Sequence, residues 1–121
     1  MKITSIETIP IRVPLKPAIA IKSGRGGAHT VSPFLIVKVM TDDGIVGLGE
    51  VSCTPRWSGE DQFSAKHFID DLMAPQMIGE DPRDIERVMR KAIFPVALNP
   101  FTKAAMEMAL WDILGKALNM P

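Results

Sequence analysis

The spacing of hydrophobic and polar positions changes once along this chain, near Ser58. Ahead of that point the period is two. Ile9, Ile11 and Val13 fall on one parity and Pro10 and Arg12 on the other, which predicts a half-buried strand over residues 3–13, at a sheet edge because of its nearby prolines. Residues 34–41 are β-branched and aromatic. The pattern resumes over 45–51 after Asp42-Asp43-Gly44, a hairpin turn signal, so three antiparallel strands are expected. Between the first two strands, residues 14–32 hold Pro14, Pro17, Gly24, Gly26 and Gly27 and far exceed the roughly four to six residues of an ordinary connection. A loop of that length is functional or disordered.

From Ser58 onward the period becomes helical. Ser58-Gly-Glu-Asp61 reads as a capping-box-like start, and Ala65, Phe68, Ile69, Leu72 and Met73 form a stripe expected to end before Pro75. Asp81-Pro82 supplies a second start, with Ile85, Val88, Met89, Ala92 and Ile93 at helical spacing until Pro95. Asn99-Pro100 opens a third helix, to about Leu118, apolar nearly all round and therefore expected to be mostly buried. Its charges fall in pairs four apart, Lys103 with Glu107 and Asp112 with Lys116, a spacing that suits structural pairing. Asn119 and Pro121 suit a left-handed termination, after which nothing further covers the apolar helix, so the chain reads as truncated. Strands followed by helices give an α+β class: a three-stranded antiparallel meander with a helical segment packed on one face, in a single domain over residues 1–121.

Lys plus Arg and Asp plus Glu both number 14, which argues against a nucleic-acid or membrane-surface partner. With no apolar signal region and no stretch near the roughly 20 residues of a membrane span, a cytoplasmic protein is expected. Cys53, the only cysteine, excludes an internal disulfide and reads as a packed or loop thiol.

The motif search yields little chemistry. Ser23-Gly24-Arg25-Gly26-Gly27 lacks the ending of a phosphate loop and opens no helix. Gly44, Gly47 and Gly49 have the wrong spacing for a dinucleotide fingerprint and suit close backbone approach or bulges within a hairpin. His29 and His67 lack companions at metal-ligand spacing, Asp42, Asp43 and Glu50 do not converge, and Ser52, Cys53 and Ser58 have no placed base. What the chain does offer is two exposed stretches that follow strands, residues 14–32 and 52–59. In the second, Arg56-Trp57 sets a carboxylate-matching fork beside a large aromatic, suited to substrate or interface contact.

Three stretches together resemble the mandelate racemase/muconate lactonising branch of the enolase superfamily: Lys2-Ile-Thr-Ser-Ile-Glu-Thr, Thr41-Asp-Asp-Gly-Ile-Val-Gly-Leu-Gly-Glu50, and Ala104-Ala-Met-Glu-Met-Ala-Leu-Trp-Asp-Ile-Leu-Gly-Lys116 with Pro121. The last is the most specific. The resemblance implies an N-terminal capping domain joined to a C-terminal (β/α)-barrel that lies beyond Pro121 and supplies the Mg²⁺ ligands and the Lys or His bases. The implied chemistry is proton abstraction next to a carboxylate, leading to racemisation, cycloisomerisation or dehydration. No catalytic residue and no metal ligand is then expected within these 121 residues, and no turnover from them alone. By position, Ile21, Lys22, Ser23, Gly24 and Arg25 would line one substrate-facing lid, and Thr54, Arg56 and Trp57 the other. A small-molecule carboxylate is the expected ligand and a homo-oligomer the expected assembly. The alternative is a stand-alone α+β module for binding or oligomerisation, mating through its apolar third helix.

Overall fold

A computed structural model of the chain describes residues 1–23 and 27–121. Strands β1 (Ile3–Pro14), β4 (Val31–Thr41) and β5 (Val46–Ser52) form an antiparallel sheet in the order β1-β4-β5, while β2 (Ile21–Ser23) and β3 (Gly27–His29) pair separately. Helix α1 comprises Gln62–His67, a wide turn over Phe68–Met73 and a last turn over Ala74–Met77. Helix α2 comprises Ile85–Val88 and a second wide turn over Met89–Ile93, and α3 spans Pro100–Ala117. The expected α+β meander with helices on one face is the architecture found.

The stretch expected to be irregular carries paired structure instead. Pro14 belongs to β1 and faces Val31, the Leu15 N–H donates to the Thr30 carbonyl at 2.8 Å, and beyond a single 3-10 turn at Pro17–Ile19 the separate strands β2 and β3 pair antiparallel. Prolines hide this from the sequence pattern. Pro10, Pro14 and Pro33 all fall on one parity of the β1–β4 ladder, and the neighbouring Leu15–Thr30 pair carries the hydrogen bond, so no needed N–H is lost.

The face assignment of β1 also differs from the periodic reading. A register shift between Ile3 and Ser5 turns Ile6 and Thr8 toward the helices, opposite the fully buried Val39 and Val37. Ile9, Ile11 and Val13 consequently line the outer face with Phe34 and Ile36, because one inserted residue exchanges the two sides of a strand. The core lies on the other side, among Leu35, Val37, Val39, Val51, Ile69, Met73, Met77, Val88, Ile93 and Leu110.

Pro75 does not end α1. The Ala74 N–H reaches back five residues to the Ile69 carbonyl, and the Phe94 N–H likewise to Met89 at 2.8 Å, each wide turn closing just before a proline. Widening gives room for a ring that lacks an N–H and would otherwise strike the carbonyl of the preceding turn. Asp81-Pro82 forms a turn rather than the first turn of α2, which begins only at Ile85. The Asp81 side chain accepts the Arg83 N–H at 3.0 Å and pairs with the Arg83 guanidinium, which pulls its carboxyl down to about 2.

Helix α3 is buried along one side only. Ala105, Met106, Ala109, Leu110 and Ile113 are covered, whereas Met108, Trp111 and Leu118 are exposed. The covered side lies directly on β5. A methyl group placed on Gly49 would stand 1.9 Å from the Ala105 carbonyl oxygen, and one on Gly47 would stand 2.1 Å from that of Ala109. Close backbone approach is thus the reason for both glycines. Of the two expected charge pairs, Asp112–Lys116 forms at 2.6 Å and also ties the helix to the β5 edge, since Asp112 accepts the Leu48 N–H and Lys116 donates to the Val46 carbonyl. Burial opposes ionisation of Asp112, but Lys116 and the Leu48 N–H outweigh it and hold the carboxyl below its usual range. Glu107 instead accepts from the Trp111 indole at 3.3 Å. The helix ends at a left-handed Asn119, with Met120 N–H bonded to the Gly115 carbonyl and Asn119 N–H to that of Lys116, a Schellman pattern.

Candidate functional site

Both excursions leave the same end of the sheet. Pro14 and Val31 close the β1–β4 ladder there, Ser52 at the end of β5 faces Phe34, and the Cys53 N–H donates to the Pro33 carbonyl at 3.0 Å. The start of α1 joins them, because the Gln62 amide donates to the carbonyls of Ile11 and Phe34 at 2.8 and 2.7 Å. Hairpin, loop and helix start therefore share one rim.

The loop after β5 folds on itself. The Thr54 carbonyl accepts the Trp57 and Ser58 N–H groups at 2.9 and 2.8 Å, and the Ser58 hydroxyl accepts the Glu60 N–H at 3.3 Å. Gly59, at φ +80°, supplies the left-handed residue that lets the chain turn between them. Thr54 is half-buried, Arg56 is exposed, and Trp57 is 78% exposed with its ring centre 5.6 Å from that of Phe101.

Glu60 is the residue that sequence reasoning missed. It is 3% exposed, and among the described residues no ion pair neutralises it: Oε1 accepts the Phe101 N–H at 2.9 Å, and Oε2 accepts the Thr102 N–H and hydroxyl at 2.8 and 2.7 Å. Free N–H groups and the positive end of the helix macrodipole make the start of α3 a fitting place for a buried carboxylate. Asn99, expected as the cap of this helix, adopts a left-handed conformation and spends its side chain on the Ala97 carbonyl. The neighbouring Asp61 caps α1 by accepting the Phe63 and Ser64 N–H groups, and the Ser64 backbone bond, chief among these, holds its carboxyl below the ordinary value. In a run of two acids, nothing local tells which one serves which helix.

Of the first expected lid, Ile21, Lys22 and Ser23 form β2 opposite His29, Ala28 and Gly27, with Lys22 exposed. Gly24 and Arg25 lie outside the described residues, as does part of the glycine-rich motif. Among the described residues, no hydrogen bond or ion pair joins this hairpin to the 53–60 loop. Burial, then the charges of Asp61 and Glu60, push the Cys53 thiol up to about 11, which makes it a poor nucleophile. His29 hydrogen-bonds Ser32, and His67 pairs with Asp71. The rim thus presents the exposed Trp57, Arg56 and Lys22, an aromatic, a guanidinium and an ammonium that can contact a ligand. No helix is long and apolar enough to cross a membrane among the described residues.

A meander sheet with one helical face places the chain among α+β domains of the enolase N-terminal type. Residues 5–121 match the mandelate racemase / muconate lactonizing enzyme N-terminal domain, and the chain belongs to that family. It is 38% identical over 124 residues to N-succinyl-L-Arg/Lys racemase of Bacillus cereus, an alignment that covers 100% of this chain and 32% of the relative. A chloromuconate cycloisomerase of Cupriavidus pinatubonensis is 39% identical over 98 residues, covering 79% of this chain and 26% of that protein. The cis-3-hydroxy-L-proline dehydratase of Roseibium aggregatum is 32% identical over 123 residues, covering 100% and 33%. The crystal structure of the Bacillus cereus racemase superposes with a TM-score of 0.86 at 36% identity, over 98% of this chain and 31% of that one. A dipeptide epimerase from Enterococcus faecalis, complexed with Mg and the dipeptide L-Leu-L-Tyr, gives 0.87 at 26% identity, over 98% and 32%. The chain spans about a third of the length of these relatives.

Proposed function

We propose that this domain caps the active site of a longer, Mg²⁺-dependent enzyme that abstracts a proton next to a substrate carboxylate, with racemisation, cycloisomerisation or dehydration as the outcome. The observation that carries the reading is the common rim, where the β2–β3 hairpin and the 53–60 loop leave one end of the sheet of a domain whose relatives are racemases, cycloisomerases and dehydratases. On this reading the rim closes over a C-terminal barrel, excludes water and touches the part of the substrate distant from the reacting carbon. Lys22, Arg25, Thr54, Arg56 and Trp57 are the side chains proposed to select it. Arg56 and Trp57 suit a ligand that combines a carboxylate with an apolar body.

Among the described residues, no three His, Cys, Asp or Glu side chains converge to hold a metal ion. Metal and bases are assigned to the barrel, and the enzyme as a whole to the cytoplasm and to a homo-oligomer.

The test is turnover by the full-length protein in D₂O, with and without Mg²⁺, on N-succinyl-L-lysine, N-succinyl-L-arginine, chloromuconate, cis-3-hydroxy-L-proline and L-Leu-L-Tyr. Expected are Mg²⁺-dependent deuterium exchange at the α-carbon, or cycloisomerisation, for at least one compound, and a changed order of preference on Trp57→Ala. Absence of metal-dependent chemistry on the whole panel would sink the reading in favour of a non-catalytic module.

A further inference from the structure

Resting on that capping role, we propose that Glu60 is a positioning residue for substrate selection, the latch that fixes the Thr54–Gly59 loop and its Trp57 to helix α3. Three observations converge on it. First, the carboxylate is almost fully enclosed, and both of its oxygens are committed to the first turn of α3 through Phe101 and Thr102. Second, the N–H of the same residue is held by Ser58, whose hydroxyl also donates to the Thr54 carbonyl at 3.2 Å, so loop and latch form one hydrogen-bonded unit. Third, Phe101 is gripped twice from this unit, by Glu60 at its backbone and by the Trp57 ring at its side chain.

Trp57 is mostly exposed and has little packing to hold it, so its position depends on the backbone beneath it. That backbone is tied through Glu60 to α3, whose middle has no room to shift against Gly47 and Gly49. The latch therefore refers a selecting side chain to a seam of direct backbone contact, and a pre-positioned contact group costs less ordering on binding.

Glu60→Gln tests this, because an amide can accept from one side of the α3 terminus only and must turn its NH₂ toward donors on the other. Thr102→Val is the milder companion, as it deletes only the hydroxyl donor. Both are made in the full-length, Mg²⁺-loaded protein. Trypsin cleavage of the native protein at the Arg56–Trp57 bond, followed by mass spectrometry, reports the loop, and kcat and KM on the same substrate panel report selection. Loss of one buried hydrogen bond predicts roughly tenfold faster cleavage and roughly tenfold higher KM in Glu60→Gln, with about threefold changes in Thr102→Val and kcat nearly constant.

Unchanged cleavage and KM in both variants would overturn the latch. So would a fall in kcat that merely tracks a lower melting temperature. If Glu60→Gln fails to fold, Thr102→Val decides by the same criteria. A wild type inactive on the whole panel overturns the capping role and the selection role with it, while the cleavage rates still decide whether Glu60 holds the loop.

Discussion

Helix α3 is held at its middle and at its start by different physics. At the middle, Ala105 and Ala109 press backbone against Gly49 and Gly47, and contact is set by exclusion, since no β-carbon fits. At the start, Glu60 grips free N–H groups through hydrogen bonds. Exclusion leaves no freedom of position and depends on the absence of atoms. A hydrogen-bonded grip depends on one side chain and can be altered without moving the frame. The domain thus joins a seam fixed by exclusion to a rim fixed by hydrogen bonds.

The sharpest way to break this comparison is Gly49→Ala. Overpacking against a helix carbonyl should cost about 3 kcal/mol or more of stability, or prevent folding of the full-length protein, as measured by denaturant unfolding. A loss below about 1 kcal/mol would mean that the seam yields. Gly44→Ala provides the control. A methyl group on Gly44 would meet nothing within 4 Å, but the residue sits at a φ of +80°, so about 1 kcal/mol of purely conformational cost is expected.

Asp61→Ala asks whether the rim contributes stability through caps. It should cost about 1 kcal/mol at pH 7, measured by thermal unfolding. The sign of the pH dependence follows from a carboxyl held below its ordinary 3.8 in the folded state. The stabilisation is present above that ordinary value and is lost as pH falls through the lowered folded value, so wild type and variant should converge in acid. A difference that persisted undiminished to pH 2 would contradict the cap. The smallest expected effect on stability, within about 0.5 kcal/mol, belongs to Trp57→Ala, which should nonetheless change substrate preference severalfold. A matching loss of melting temperature with unaltered preference would make Trp57 a packing residue.

Much of the fold is legible in the sequence because its signals are local. Asp42-Asp43-Gly44 is a turn with Gly44 at positive φ, Asn99-Pro100 does open α3, and Asn119 does end it in the left-handed conformation. The prolines differ in what they signal. Pro95 does mark a stop, with α2 closing just before it, whereas a wide turn absorbs Pro75 within α1. The run of prolines and glycines over 14–32 conceals a ribbon in which every proline of the β1–β4 ladder occupies a harmless position. For the rim, the position of the two stretches is legible, but their individual side chains remain proposals, and Glu60 gives no sign.

By itself, then, the sequence determined the order of the three main strands and the three helices, and the family, since turn chemistry, helix termini and periodicity act over a few residues and each leaves a local mark. Tertiary structure alone decided which face of β1 is buried, because a single inserted residue near Ile3 exchanges the two sides while leaving the alternation intact. It alone decided that Glu60 serves the helix start at Phe101, 41 residues away, rather than the helix beside it. A carboxylate in an acidic pair can satisfy any free helix start within reach, and only packing brings one within reach.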